Sequence, residues 1–187
     1  MRFFIILGYS FSMEGLNLEA KTCKETRVIR TSRIFPNDVN NHNTMFGGKL
    51  MSDMDIIASI SAQRHSRAEV VTASTDSVDF LCPITPQDSV CCESFVTWVG
   101  SSSMEVFVKI ISENMRTGYR KIAATAFLTF VALDDDGKPT KIPTIIPETE
   151  EEKKLHETGK DRAEYRKFHR KSSKELASYL TTSRPWE

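Results

Sequence analysis

Asn40 to Gly48 reads NNHNTMFGG, and the helical pattern that follows carries two carboxylates, Asp53 and Asp55. Side-chain amides hold a water or a carbonyl oxygen without adding charge. Glycines where a loop enters a helix let a ligand approach the backbone. The first N–H groups of a helix lack intrahelical acceptors, and the positive end of its dipole suits an oxygen that gains negative charge. A carboxylate in a mostly apolar cleft, its pKa raised by partial burial, can serve as a general base. Each part also has a plainer reading. Gly47-Gly48 makes a tight turn, Asn37, Asn40, Asn41 and Asn43 serve turns and the helix cap, and both aspartates are solvated at a helix edge. Periodicity does not choose between Asp53, on the side of Leu50 and Ile57, and Asp55, beside Met51, Ala58 and Ala62. His42 and His65 have no partners at recognisable spacing and read as surface or structural. No GxSxG, HExxH, Walker or dinucleotide fingerprint is present.

These residues need a scaffold, and the pattern around them supplies one. Residues 22–34 alternate like a strand until Pro36-Asn37-Asp38 breaks them. A helix is expected from about Phe46 to His65, with Leu50, Met54, Ile57, Ala58 and Ser61 as one buried stripe. Four strand-like runs follow, within 69–84, 88–100, 104–115 and 119–137, with Arg116-Thr117-Gly118 as a hairpin turn. One strand, a loop, a long helix and four closely connected strands predict an α+β domain, with an antiparallel sheet wrapped around the helix.

The 187 residues suit one such domain with a small appendage. Lys plus Arg equals Asp plus Glu at 25 each, which argues against a broad nucleic-acid-binding face. The four cysteines form no CxxC pair, so buried reduced thiols, no metal and a cytoplasmic location are expected. Residues 1–21 read as a poorly ordered extension, with Met13 as an alternative start. The apolar run Phe3 to Leu7 is too short to span a bilayer or to make a clear signal peptide. The domain is expected over 22–147. Residues 148–187 are charge-laced, with a thin stripe of Leu155, Tyr165 and Phe168, and read as a solvated or loosely docked helix; an oligomer contact is the sharper alternative.

The linked segments FPNDVNNHNTMFGGKLMSDMD, RH, VVTASTDSVDFLCPI and SMEV, with IPETEEEKK beyond them, resemble the hotdog-fold acyl-CoA thioesterases of the cytosolic acyl-CoA hydrolase branch. The resemblance implies paired protomers with active sites between them, assembled as a homo-oligomer, a trimer of dimers. It implies that Asn40 and Gly48 act on the thioester, that Asp55 is the catalytic carboxylate and that Thr72 assists it. Phe46, Gly47, Met51, Arg64, Ser102 and Ser103 are then the candidate substrate contacts, with Arg67, Lys109 and Lys121 as further cations for the nucleotide end of coenzyme A. No cofactor is implied, because coenzyme A is part of the acyl-CoA substrate. Some relatives carry Asp or Asn where Thr44 stands, so that position is not expected to supply the base. A hotdog dehydratase would want a catalytic histidine in the loop-to-helix region, and His42 stands at the wrong motif position. A non-catalytic acyl-CoA sensor remains the competing reading. Neither a nucleic-acid nor a membrane partner is expected.

Overall fold

The computed structural model describes residues 19–184 and 186. Most of the expected N-terminal extension, residues 1–18 with Met13, lies outside them. The elements run β1 (Lys21–Thr22), α1 (Cys23–Thr26), β2 (Val28–Arg33), a 3-10 turn (Pro36–Asp38), α2 (Gly47–Ser66), β3 (Glu69–Phe80) and β4 (Asp88–Val99). They continue with β5 (Ser103–Asn114), β6 (Arg120–Leu133), β7 (Ile145–Ile146), α3 (Glu150–Glu157) and α4 (Gly159–Tyr179). Five strands form an antiparallel sheet in the order β2-β4-β5-β6-β3. Short β1 pairs in parallel with β7, so Lys21, placed in the extension by its sequence, is held against Ile145. The run read as one strand over 22–34 is split by α1, whose Thr22–Glu25 capping box starts a turn of helix first.

The α2 stripe is buried as its spacing predicts: Leu50, Met54, Ile57, Ala58 and Ser61 are each at most 3% exposed. Ala58 and Ala62 let the sheet come close, and the hydroxyls where α2 crosses β4 are paired. Ser61 bonds Ser94 of β4 at 2.7 Å, and the Ser94 hydroxyl donates to the Ile57 carbonyl at 3.0 Å. The helix ends at Arg67, in the left-handed region with φ 54°.

The C-terminal segment departs from its reading as a solvated or loosely docked helix. It forms two helices, and α3 with the first turns of α4 is fastened to the sheet. Glu105 of β5 is fully buried. It accepts from Arg162 Nε at 3.0 Å, Arg162 Nη2 at 2.7 Å, Thr97 Oγ1 at 2.8 Å and also from Arg166. Arg162 lies 4.2 Å over the Phe127 ring. Gly159 presses on Trp98 so closely that a Cβ there would sit 2.6 Å from the Trp98 Cβ. Glu152, also buried, closes a capping box with Thr149 and pairs with Arg27. Counting apolar residues missed this docking because ion pairs carry it. Tyr165 and Phe168, part of the expected apolar stripe, are 67% and 71% exposed, and from Lys167 onward every residue of α4 is exposed.

The sheet leaves β3 as a twelve-residue edge with almost all of its side chains at least partly in water. Its register against β6 shifts between Thr72 and Ser74 and again between Thr75 and Ser77. Such bulges twist an edge and re-aim its side chains.

Candidate active site

The asparagine loop is pinned at both ends. Met45 N–H donates to the Ile84 carbonyl and Phe46 N–H to the Asp38 carbonyl, each at 2.8 Å. Inside it, Asn43 takes a left-handed conformation with φ 57°. The Asn40 side chain organises the turn. Its Oδ1 accepts from the His42 N–H at 2.9 Å and the Thr44 N–H at 3.3 Å, and its Nδ2 donates to Thr44 Oγ1 at 3.0 Å. Two backbone donors therefore fix which end of the amide is oxygen. Thr44 takes up one of the two Nδ2 hydrogens, and the second is available to a ligand.

The loop delivers the chain to an uncapped helix start. The N-cap of α2 is Phe46, which offers no side-chain acceptor, and the first turn holds no acidic residue. The leading N–H groups at Gly47 and Gly48 are thus open to an external oxygen. At Gly48 a Cβ would fall 2.6 Å from Cε1 of Phe46, so a side chain there would displace that ring; at Gly47 it would touch Phe80 at an ordinary 3.5 Å. A cleft of ≈ 390 Å³ opens beside this helix start, lined among others by Thr44, Gly47, Leu50, Phe80, Leu81 and Ile84.

The two aspartates, equivalent by periodicity, part ways in the structure. Asp53 is buried, with both carboxylate oxygens 2.6 Å from Lys49 Nζ and one 2.6 Å from Arg30 Nη2. Burial alone would raise its pKa, but the hydrogen bonds from Lys49 and Arg30 outweigh that and hold it below the usual carboxylate range. A carboxylate so saturated is a poor proton acceptor. Asp55 is half-buried on the flank of α2 that carries exposed Met51, and its Oδ1 accepts from Thr72 Oγ1 of β3 at 2.9 Å. That single side-chain bond leaves lone pairs for a water.

The other expected residues are spread over the molecule. Arg64 lies in the last turn of α2 and donates to the Arg27 carbonyl. Ser102 and Ser103 sit at the β4–β5 hairpin, where Ser103 pairs with Val131 next to the Glu69–Leu133 pair. All three are therefore at the end of the sheet away from Gly47. Lys109 is committed to Glu93 and Glu151. Lys121 donates to the Pro83 carbonyl at 3.4 Å, and Arg67 caps α2. His42 is exposed; His65 is buried, with Nε2 2.9 Å from the Pro143 carbonyl. Cys23 and Cys92 are buried free thiols, pushed up by burial to about 12 and about 11. Among the described residues no group of His, Cys, Asp or Glu is arranged to hold a metal, and no helix is long and apolar enough to cross a membrane. Sequence reading missed the Arg30–Asp53–Lys49 clamp, of which only the i, i+4 spacing of Lys49 and Asp53 was a visible signal. It also missed that Thr44 bonds Asn40.

Known proteins share this architecture and sequence. A family description, the thioesterase superfamily, matches residues 42–119. An uncharacterized acyl-CoA thioester hydrolase of Bacillus subtilis, YkhA, is 62% identical over 168 residues, 90% of this chain and 98% of that protein. An acyl-CoA hydrolase of Staphylococcus aureus, solved with butyryl coenzyme A, coenzyme A and coenzyme A disulfide, superposes with TM-score 0.83 at 45% identity. It covers 86% of this chain and 98% of its own. Its asparagine, aspartate and threonine to alanine mutants have also been solved, and the three positions are spaced as Asn40, Asp55 and Thr72 are here. A hexameric acyl-CoA thioesterase superposes at 0.79 with 44% identity, over 81% of this chain and 97% of its own. The helix wrapped by a five-stranded antiparallel sheet is the hotdog fold, and the chain belongs to the acyl-CoA thioester hydrolases built on it.

Proposed function

We propose that this protein hydrolyses the thioester of fatty acyl-CoA to a free acid and coenzyme A, in a site closed between two copies of the chain. The observation that carries the reading is the Thr72–Asp55 hydrogen bond on one flank of a helix whose own start is open and uncapped. Within one chain these halves are too far apart to share a substrate atom. Gly48 and Asp55 are seven residues apart, roughly 10 Å along the helix axis. A base and an oxyanion donor must each lie about 3 Å from the reacting group. A second copy, paired along the long exposed edge of β3, supplies the other half. The same pairing would cover Val71 and Phe80 of β3 with Met51 and Ile56 of α2, each between 45% and 53% exposed.

In this reading the thioester carbonyl oxygen lies at the start of α2, facing the Gly48 N–H, and Asn40 Nδ2 donates its second hydrogen to it. Asp55 of the other copy, oriented by Thr72, removes a proton from water as the oxygen attacks the carbonyl carbon. The tetrahedral oxyanion collapses, the C–S bond breaks, and the departing thiolate recovers the proton from Asp55. The acyl chain runs past Phe46 and Met51 toward the apolar cleft, and Arg64, Ser102 and Ser103 are left for the nucleotide end. The hexameric relative supports a trimer of such dimers for this chain. A cytoplasmic location fits the free thiols and the family.

Hydrolysis of an acyl-CoA series from C2 to C18, read as thiol release, tests this directly. Wild type is expected to turn over, and Asp55→Ala to lose activity while still binding coenzyme A. Tight acyl-CoA binding with no turnover at any length would replace the enzyme by a sensor. Oxygen-18 appearing in the protein after one turnover in labelled water would replace the general base by a carboxylate nucleophile.

A further inference from the structure

Among the described residues, the distal half of α4 has no partner inside its own chain. From Lys167 to its end at Tyr179 every residue is exposed. The docked face, with Gly159, Arg162, Ala163 and Arg166, stops just before it. Tyr165, Phe168, Leu176 and Tyr179 are 60% to 79% exposed. With Ser172 they fall at successive steps of three, four, four and three residues, which is one continuous stripe on a helix. The stripe is turned away from the docked face. An isolated helical stretch of this length is marginal in water, and four large apolar side chains on its wet side make it more so.

The stripe reads the same in both directions about Ser172. Laid antiparallel on an identical helix, with Ser172 at the two-fold axis, Phe168 meets Leu176 of the second copy and Tyr165 meets its Tyr179. The small serine lets the backbones approach at the crossing. Lys171 and Glu175 lie on one flank, and the two-fold brings the lysine of each copy beside the glutamate of the other, so the charges complement. Lys167, Arg170 and Lys174 lie on the opposite side of the helix and stay in water. We infer that α4 is an interface in which two copies of this chain pair antiparallel through Tyr165, Phe168, Ser172, Leu176 and Tyr179. With aromatic side chains burying about 150–250 Å² each at most, the contact reaches only the low end of the roughly 1,200–2,000 Å² of free-standing interfaces. It therefore joins copies that another surface also holds, and it does not depend on the catalytic reading.

A symmetric crosslink tests the pairing. In a background with Cys82→Ser and Cys91→Ser, Ser172→Cys is expected to give a disulfide-linked dimer under mild oxidation, and Lys174→Cys to give almost none. Phe168→Glu with Leu176→Glu, both largely exposed in the single chain, should abolish the Ser172→Cys crosslink and lower the mass in solution while leaving far-ultraviolet helicity and thermal midpoint nearly unchanged. Equal crosslinking of Ser172→Cys and Lys174→Cys, or an unchanged mass in the double glutamate variant, overturns the inference. So does recovery of α4 on anionic vesicles with no crosslink at Ser172, which would make the stripe a lipid-facing surface.

Discussion

Asn40→Asp separates the loop-anchoring job of this asparagine from the one proposed for it in catalysis. Its oxygen anchors the loop by accepting from His42 N–H and Thr44 N–H, while its nitrogen donates to Thr44 Oγ1 and, in the proposed mechanism, to the substrate. Aspartate keeps the acceptor and loses the donor, and the Thr44 hydroxyl can turn to donate to the second carboxylate oxygen. The loop should therefore hold, with the thermal midpoint within about 3 °C of wild type, under about 1 kcal/mol for a chain of this size. Removing one donor from a developing oxyanion costs roughly 10²–10³ in kcat, and a carboxylate beside that oxyanion adds repulsion, so the upper end is expected. The assay is thiol release from an acyl-CoA under saturation, with a melting curve on the same preparation. Asn40→Ala is the companion: a similar loss of kcat, accompanied by a lower midpoint because the loop anchor goes too. An Asn40→Asp enzyme within about tenfold of wild type, worth only about 1.4 kcal/mol of barrier, would refute the donor role and leave Asn40 as a loop anchor alone.

Co-expressing Asn40→Asp and Asp55→Ala chains should restore activity that neither has alone. Half of randomly mixed dimers pair unlike chains, and each of those keeps one intact site, so about a quarter of wild-type turnover is expected; none would place both residues in one chain's site. Asp55→Asn should cost roughly 10²–10⁴ in kcat with little change in stability. Asp53→Asn should do the reverse, destabilising by about 2 kcal/mol as Arg30 and Lys49 lose their shared partner, with the half-exposed cations limiting the cost; kinetics and chemical denaturation on the two variants distinguish them. His65 is buried and its pKa is lowered by that burial. Below about pH 6.5 the unfolded chain takes up a proton that the folded one refuses, so stability falls as pH drops through that value. Melting curves from pH 8 to 5 should show the decline, and His65→Gln should flatten it.

The long helix and the four strands after it were legible because each obeys one period over many residues, and the core stripe from Leu50 to Ser61 follows from spacing alone. The loop was legible by composition. Which aspartate is free was not, because Asp53 and Asp55 differ only in what the sheet brings to them: Arg30 from β2 to one, Thr72 from β3 to the other. Nor was the fate of the tail. Glu105 and Arg162 lie 57 positions apart and meet only once the sheet exists. The same holds for the candidate contacts at Arg64 and Ser103, whose distance from the helix start is a matter of strand register.

Glu105 also decides where this protein can be cut. A chain ending before α3 would leave that carboxylate without either cation, with the Thr97 hydroxyl as its remaining side-chain partner. To the extent that the carboxylate stays out of water, losing its cations costs up to roughly 3–5 kcal/mol, a large share of what holds a domain together. The autonomous folding unit is therefore expected to extend past Arg166. Residues that read as an appendage are, up to that arginine, counterions for the interior, and a truncation meant to probe assembly is clean only if it begins after them.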